Sequence, residues 1–216
     1  MAIPTNFSLE VPQRAHGIIC KFYDRSIGSE EMRLPSKATF LLSASMPIVI
    51  VPFERIKKYT SRTVHNKKLK GEINKIFKPR QKICKKDFFE QNLWQYVSCN
   101  ERKGFQNLAT KRLPSDIVKK LDLQKAKESA GELTTLNFFR NLRNALAHGG
   151  VLYLNEHGRS YHGDIVRGFV FVSRNDRENP AEFHILRIKM DDYRNFLKLW
   201  VAWMDKDPFN EIIAKI

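Results

Sequence analysis

Apolar positions recur at helical spacing most clearly near the C-terminal end of the chain. Between Asp191 and Lys206, Tyr193, Phe196, Leu197, Trp200, Val201 and Met204 fall at i, i+3, i+4, i+7, i+8 and i+11. That spacing predicts one buried stripe, with Pro208 just past its end. Leu199 and Trp203 widen the apolar surface beyond one face and suggest a second contact such as a subunit interface. Upstream, Ala38 to Phe53 is the longest apolar stretch. Ser36, following Pro35, can cap a helix that runs towards Lys58. Pro47 and Pro52 each remove an amide donor, so this helix is expected to be kinked or broken. Residues 86–98 read as a mixed helical region that offers Phe88, Phe89, Leu93, Trp94 and Val97 to a core. Pro114-Ser115-Asp116 starts a helix from Ile117 to about Ala130, and Gly131 breaks it. A strong helix then runs from about Glu132 to His148, where Gly149 and Gly150 can supply a left-handed cap.

After the glycine pair the period changes to two. Val151–Leu154 and Ile165–Ser173 are strand-like, and a polar loop, Arg174 to Ala181, leads to Phe183–Met190. In that last run His184, Leu186, Ile188 and Met190 share one face, and the two longer strands read as an antiparallel hairpin. Residues 1–34 form an N-terminal extension with one strand, Gly17–Tyr23. The expected fold is mainly α: a helical bundle in a single domain, 1–216, with a small antiparallel β-hairpin (insertion 151–190) before the C-terminal helix.

Composition narrows the class. A hydrophobic fraction of 42% and an aromatic fraction of 11% describe a globular chain, and 216 residues suffice for one well-buried core. Lys and Arg number 38 against 23 Asp and Glu, a formal net charge of +15. Residues 55–86 hold thirteen Lys and Arg against the single acid Glu72, a net +12 of that excess. Solvated faces ordinarily mix signs, so this run points to a surface for a polyanion, with Arg62, Lys67, Lys68 and Lys70 as its candidate contacts. The N-terminus lacks the pattern of a secretory signal, and the 38–53 stretch falls short of the roughly 20 residues a membrane span needs. Cys20, Cys84 and Cys99 have no CxxC spacing and fit free thiols in a reducing cytoplasm. No zinc signature, Walker-type loop or Ser-His-Asp arrangement is present, so neither metal nor cofactor is expected.

The helix ending at His148 carries the candidate chemistry. Phe138, Leu142, Ala145 and Leu146 lie on one side of it and face a core. Asn137, Asn141, Asn144 and His148 make a polar stripe on another. A run of amides weakens a helix unless the side chains serve a contact across helices or a ligand. Arginine holds phosphate through a planar fork of donors, and histidine exchanges protons near neutral pH. A histidine in the last turn also suits the carbonyl end of the helix dipole, so His148 is equally compatible with capping. Arg140 and Arg143 could likewise be surface residues whose stems cover apolar area.

Arg143-Asn144-Ala145-Leu146-Ala147-His148-Gly149 resembles the signature of HEPN domains, an arginine followed after a short helical interval by a histidine at the helix end. The long apolar early helix followed by Glu54-Arg55, and the closing amphipathic helix, fit the same family. The resemblance implies a HEPN-like helical bundle that pairs as a homodimer, with the two motif helices lining a shared cleft. Many members are metal-independent endoribonucleases, some of them toxins or defence proteins with an antitoxin partner. Others are modules that bind RNA, nucleotide or a partner protein without activity. In active members the ribose 2′-hydroxyl attacks the adjacent phosphate and leaves a cyclic phosphate and a 5′-hydroxyl. On this chain the resemblance gives His148 the proton transfers, Arg143 the charge on phosphorus, and Asn144 the orienting of either; Arg140 would contact the nucleic acid.

Ideal helix geometry separates Arg143 and His148 by roughly 140° around the axis. A site shared by two subunits meets that separation better than one chain alone. In toxins silenced by a nucleotidyltransferase a tyrosine follows the histidine by two residues; here Gly150 stands there, and Tyr153 is the nearest tyrosine. His157 and His162 read as loop residues and His65 as a solvated one, while Glu54 is expected to pair with Arg55 or a nearby lysine. A third class, a structural dimer whose basic segment binds DNA or an acidic partner, stays open on sequence alone.

Overall fold

The computed structural model describes residue 3 and residues 6–23, 34–60, 67–100, 113–161, 163–175, 179–206 and 210–211. The chain starts with a helix where a strand was expected. Helix α1 (Phe7–Phe22) includes the whole Gly17–Phe22 run, and Tyr23 closes it. Asn6 caps it: its side-chain oxygen accepts from the Leu9 amide at 3.2 Å, and Glu10 Oε1 accepts from the Asn6 amide at 2.9 Å. Leu9, Ala15, Ile19 and Tyr23 enter the main core, so residues 6–23 belong to the bundle and are not an extension of it.

Helix α2 (Leu34–Thr60) begins two residues before Ser36 and runs unbroken through Pro47 and Pro52. Pro52 has no amide proton for the carbonyl of Ile48, four residues back. The indole Nε1 of Trp200 donates to that carbonyl instead, at 3.0 Å. A tertiary donor thus replaces the missing helical one, and the expected break does not occur. Ala38, Leu41, Ile48, Val49, Phe53 and Ile56 are each 0% exposed. Its segment Lys37–Tyr59 is long and apolar enough to cross a membrane by length and composition, the one such helix among the described residues, which corrects the shorter span expected. Its apolarity has a local cause: α1, helix α3 (Lys67–Phe77) and two later helices pack against it.

A 3₁₀ turn at Ile83–Lys85 and another at Gln91–Leu93 lead to strand β1 (Gln95–Asn100), in a stretch expected to be helical. The single helix expected from Ile117 is two, α4 (Ser115–Asp122) and α5 (Gln124–Glu132), separated by Leu123 in extended backbone. Gly131 lies inside α5 and does not end it; a Cβ there would meet the Gln91 side chain at 2.8 Å. Helix α6 (Thr135–Ala147) starts three residues later than expected, because the Thr134 hydroxyl accepts from the Asn137 amide at 3.1 Å and caps it.

Strands β2 (Val151–Leu154), β3 (Gly168–Asn175) and β4 (Asn179–Lys189) follow, then helix α7 (Met190–Met204). The hairpin is β3–β4, and it is the centre of an antiparallel four-stranded sheet in the order β1-β4-β3-β2. Strand alternation divides the sheet between two cores. Phe169, Phe171, Leu186 and Ile188 face the helices, where Trp94, Phe138, Phe139, Phe196 and Trp200 interlock. Val170, Val172, Phe183 and Ile185 face the other way, onto Ile117, Val118 and Leu121 of α4. Arg187 ties this outer layer on, reaching Asp122 at 2.8 Å and the Leu121 carbonyl at 2.9 Å. The architecture is therefore mainly α with a small antiparallel sheet before the last helix. In α7 the expected stripe is buried throughout. Trp203 stacks on Trp200 and meets Phe77 and Phe88 at 6.4 and 5.2 Å, so α3 and the segment after it cover part of the surface that suggested a subunit contact, while Leu199 and Trp203 stay partly exposed.

Candidate active site

Two adjacent structural devices set the geometry of the Arg143–His148 segment. The first is the crossing of α2 and α6. Phe53 and Phe139 stack there with centroids 5.8 Å apart and planes 19° off parallel. Phe139 is one helical turn before Arg143, and Phe53 immediately precedes Glu54. The ring pair thereby places Glu54 against the motif arginine, and Arg143 Nε lies 2.6 Å from Glu54 Oε1. Both atoms are buried, and the contact is an ion pair by distance without the directed geometry of a hydrogen bond. Lys57 is also within 3.9 Å of the same carboxylate oxygen. Glu54 therefore does pair with a lysine, as expected, but its closer partner is Arg143, more than eighty residues away in sequence.

The second device is the end of α6. His148 is the cap residue, with φ −107° and ψ 9°, and its amide donates to the Asn144 carbonyl at 3.0 Å. Gly149 turns left-handed at φ +70°. The Gly150 amide then donates back to the Ala145 carbonyl at 2.8 Å, closing a Schellman-type cap. The Gly150 carbonyl accepts from the Val172 amide of β3 at 2.7 Å. The amide stripe joins the same strand: Asn144 Nδ2 donates to the Arg174 carbonyl at 3.3 Å, and Asn141 is 5% exposed. Part of the stripe thus serves packing against the sheet. Asn144 has a further role, because its Oδ1 accepts from Arg143 Nη1 at 3.0 Å.

Arg143, Asn144 and Glu54 are thus joined. His148 is brought to the same helix end but touches neither Arg143 nor Glu54; its side chain is exposed and makes no hydrogen bond to a described residue. Arg143 Nη2 makes no hydrogen bond to a described residue. Arg140 is half-buried one turn upstream of Asn144. Lys67 and Lys68 are exposed and Lys70 half-buried on α3, which packs against α2; Arg62, His65 and His162 lie outside the described residues. The basic run is not one surface. Lys86 is buried, its Nζ donating to the Ile76 carbonyl at 3.3 Å beside the rings of Phe77 and Trp203. Burial, with a smaller repulsion from Lys78, lowers its pKa from 10.5 to about 8. Lys82 is paired with Glu132.

The model of the HEPN pEK499 p136 family matches residues 1–211. The chain belongs to this HEPN family. No curated protein and no solved structure matches it. Membership agrees with the Arg143–His148 segment and with the mainly helical fold. The sequence singles out Glu54 but not its partner. The available signal was its isolation, since it is the only acid between Glu31 and Glu72. The role of β3 in holding the helix end had no local signal, because it depends on a strand contributed later in the chain.

Proposed function

We propose that this HEPN protein is a metal-independent endoribonuclease acting as a homodimer, in the manner of a cytoplasmic toxin or defence protein. The observation that carries the reading is an arginine held at a helix end by Glu54 and Asn144, with an exposed histidine at the cap of the same helix. In the proposed reaction a base removes the proton of the ribose 2′-hydroxyl, and that oxygen attacks the adjacent phosphorus. The bond from phosphorus to the 5′-oxygen breaks, and the leaving oxygen takes up a proton. The products are a cyclic phosphate and a 5′-hydroxyl end. His148 performs these proton transfers, and Arg143 offsets the charge that develops on the phosphoryl oxygens. Two copies would bring two His148 side chains to one cleft, so base and acid need not be the same residue. This also answers the roughly 140° between Arg143 and His148 on one helix. Lys67, Lys68, Lys70, Arg62 and Arg140 would hold the RNA backbone, and an antitoxin protein is the regulator such an enzyme calls for.

A second reading, a non-catalytic module that binds RNA, nucleotide or a partner protein, is favoured by one observation. Arg143 already has an anionic partner in Glu54, which competes with phosphate. Incubating RNA with the wild-type chain and with His148→Ala in EDTA distinguishes the two. The His148 side chain is exposed, so the variant should melt with the wild type. Loss of general acid–base catalysis should slow cleavage by about 100-fold or more. Equal cleavage by both proteins, or none by either, removes the enzyme. Salt-sensitive binding without cleavage supports the second reading.

A further inference from the structure

Glu54 meets a second cation besides the motif arginine. Lys57, three residues further along α2, has its Nζ 3.9 Å from Glu54 Oε1, the same oxygen that lies 2.6 Å from Arg143 Nε. Two positive charges thus converge on one carboxylate, whose single charge offsets only one of them. The excess is open to solvent, since the Lys57 and Glu54 side chains are 44% and 40% exposed. A partly exposed pair at this distance is weak, so Lys57 can leave Glu54 for a stronger anion. Other cations of the basic run are spoken for: Lys82 is paired with Glu132, and Lys86 is buried.

The two helices give this excess a place in a row. Thr39 Oγ1 lies 3.0 Å from the hydroxyl of Tyr153, beyond the end of α6, while further along α2 Phe53 stacks on Phe139. α2 therefore runs back along α6 and past its end. His148 lies from Arg143 towards the Tyr153 end. Lys57 lies one turn past Phe53 in the opposite direction, about 6 Å further along α2. The order along the seam is His148, then Arg143 with Glu54, then Lys57. With the scissile phosphate at Arg143 and His148, Lys57 stands about one helical turn beyond it, a step comparable to one nucleotide of an extended single strand.

We propose that Lys57 binds the phosphate next to the scissile one and so forms a flanking subsite of the cleft. This rests on the ribonuclease reading above, which puts RNA in that cleft. The residue type suits the task. An ammonium is a compact charge on a flexible stem and accepts a phosphate from many directions, whereas the planar fork of arginine suits the reacting group. A contact to a neighbouring phosphate carries no sequence information; it fixes the register of the strand at the motif.

The first test is binding. A single-stranded RNA made uncleavable by 2′-O-methyl groups is titrated at several salt concentrations with wild type, Lys57→Gln and Lys125→Gln. Lys125 is exposed on α5 and serves as the control for loss of one charge. Lys57→Gln is expected to weaken binding several-fold at low salt and to lower the slope of log affinity against log salt by about 0.7, the value for one phosphate of a single strand. Lys125→Gln is expected to leave the slope unchanged. The second test is cleavage in EDTA of a strand with one ribonucleotide at a linkage the wild type cuts, and a neutral methylphosphonate at the linkage before or after it. One of these two substitutions should lower kcat/KM for wild type and have no further effect in Lys57→Gln. A lysine that acts only through Glu54 would slow cleavage of every substrate alike. That result, additive losses at both linkages, or a slope that Lys57→Gln leaves unchanged overturns the proposal. Absence of cleavage by the wild type removes the ribonuclease reading, while the salt slope still decides on the phosphate contact, so the two failures are told apart.

Discussion

Replacing Gly150 by alanine tests whether the motif's helix end is held by the sheet. A Cβ on residue 150 would lie 2.1 Å from the Val172 carbonyl oxygen and 3.2 Å from its carbon. Carbon and oxygen normally stay more than about 1 Å farther apart than the first of these distances, so strand or loop must move. A movement of that size breaks the 2.7 Å bond from the Val172 amide to the Gly150 carbonyl and loosens the 2.8 Å bond from Gly150 to Ala145. Two hydrogen bonds contribute about 1 kcal/mol each, and residual crowding adds about 1–2 kcal/mol, which gives a loss of about 3–4 kcal/mol. Gly149 is the internal control. Nothing lies within 4 Å of a Cβ there, and only its φ of +70° resists substitution. Gly149→Ala should therefore cost about 1–2 kcal/mol, and Gly149→Asn less, since asparagine tolerates that conformation. Urea unfolding followed by tryptophan fluorescence measures all three. With a slope of about 2 kcal/mol per molar, Gly150→Ala should move the midpoint down by about 1.5 M or more. If it costs no more than Gly149→Ala, the helix end is not pinned against β3 and the account of the site's support is wrong.

Two further predictions concern the core. Trp200→Phe should cost about 1–3 kcal/mol beyond its lost ring area, because the Ile48 carbonyl is left without a donor. In a Pro52→Ala background the restored amide can serve that carbonyl, so the same change should cost about 1 kcal/mol less; a double-mutant cycle without coupling refutes the substitution of donors. Lys86 has a pKa lowered to about 8 by burial, so between that value and 10.5 the unfolded chain keeps a proton the folded chain has released. Stability from this group consequently rises with pH across that window and is lowest below it. Lys86→Met removes the titration, so its stability relative to wild type should fall as pH rises from about 8 to 10.5, and parallel curves would contradict the assignment.

The elements legible in the sequence were those whose pattern is local. The α7 stripe, the period-two runs of β3 and β4, and the glycine end of α6 all announce themselves within a dozen residues. What misled were residues with two local meanings. Ile18-Ile19-Cys20 looks like a strand, yet the Asn6 cap and the burial of Leu9, Ile19 and Tyr23 make α1 helical. Pro47 and Pro52 are breakers by local rule, but α2 continues because Trp200, some 150 residues later, supplies a donor. β1 is short, with Ser98 and Asn100 exposed, and gains its identity from pairing with β4. The same divide runs through the site. Arg143 and His148 are a spacing and could be read; the partnership of Arg143 with Glu54 is a distance between helices and could not. Lys86 shows the converse error, since counting charges assigned to an outer surface a lysine that packing takes inside.

The bond from Val172 to Gly150 also fixes an order of events during synthesis. The motif leaves the ribosome complete at Gly150, but the strand that caps it is made 22 residues later. That strand in turn needs β4 as its other neighbour and α7 to close the core beneath it. Because such non-local pairings form after local helices, α6 can wind before its end is set. A nascent chain, or one cut short before residue 172, would carry Arg143 and His148 without the strand that holds the end of their helix. The end of α6 is then set only by segments made after it.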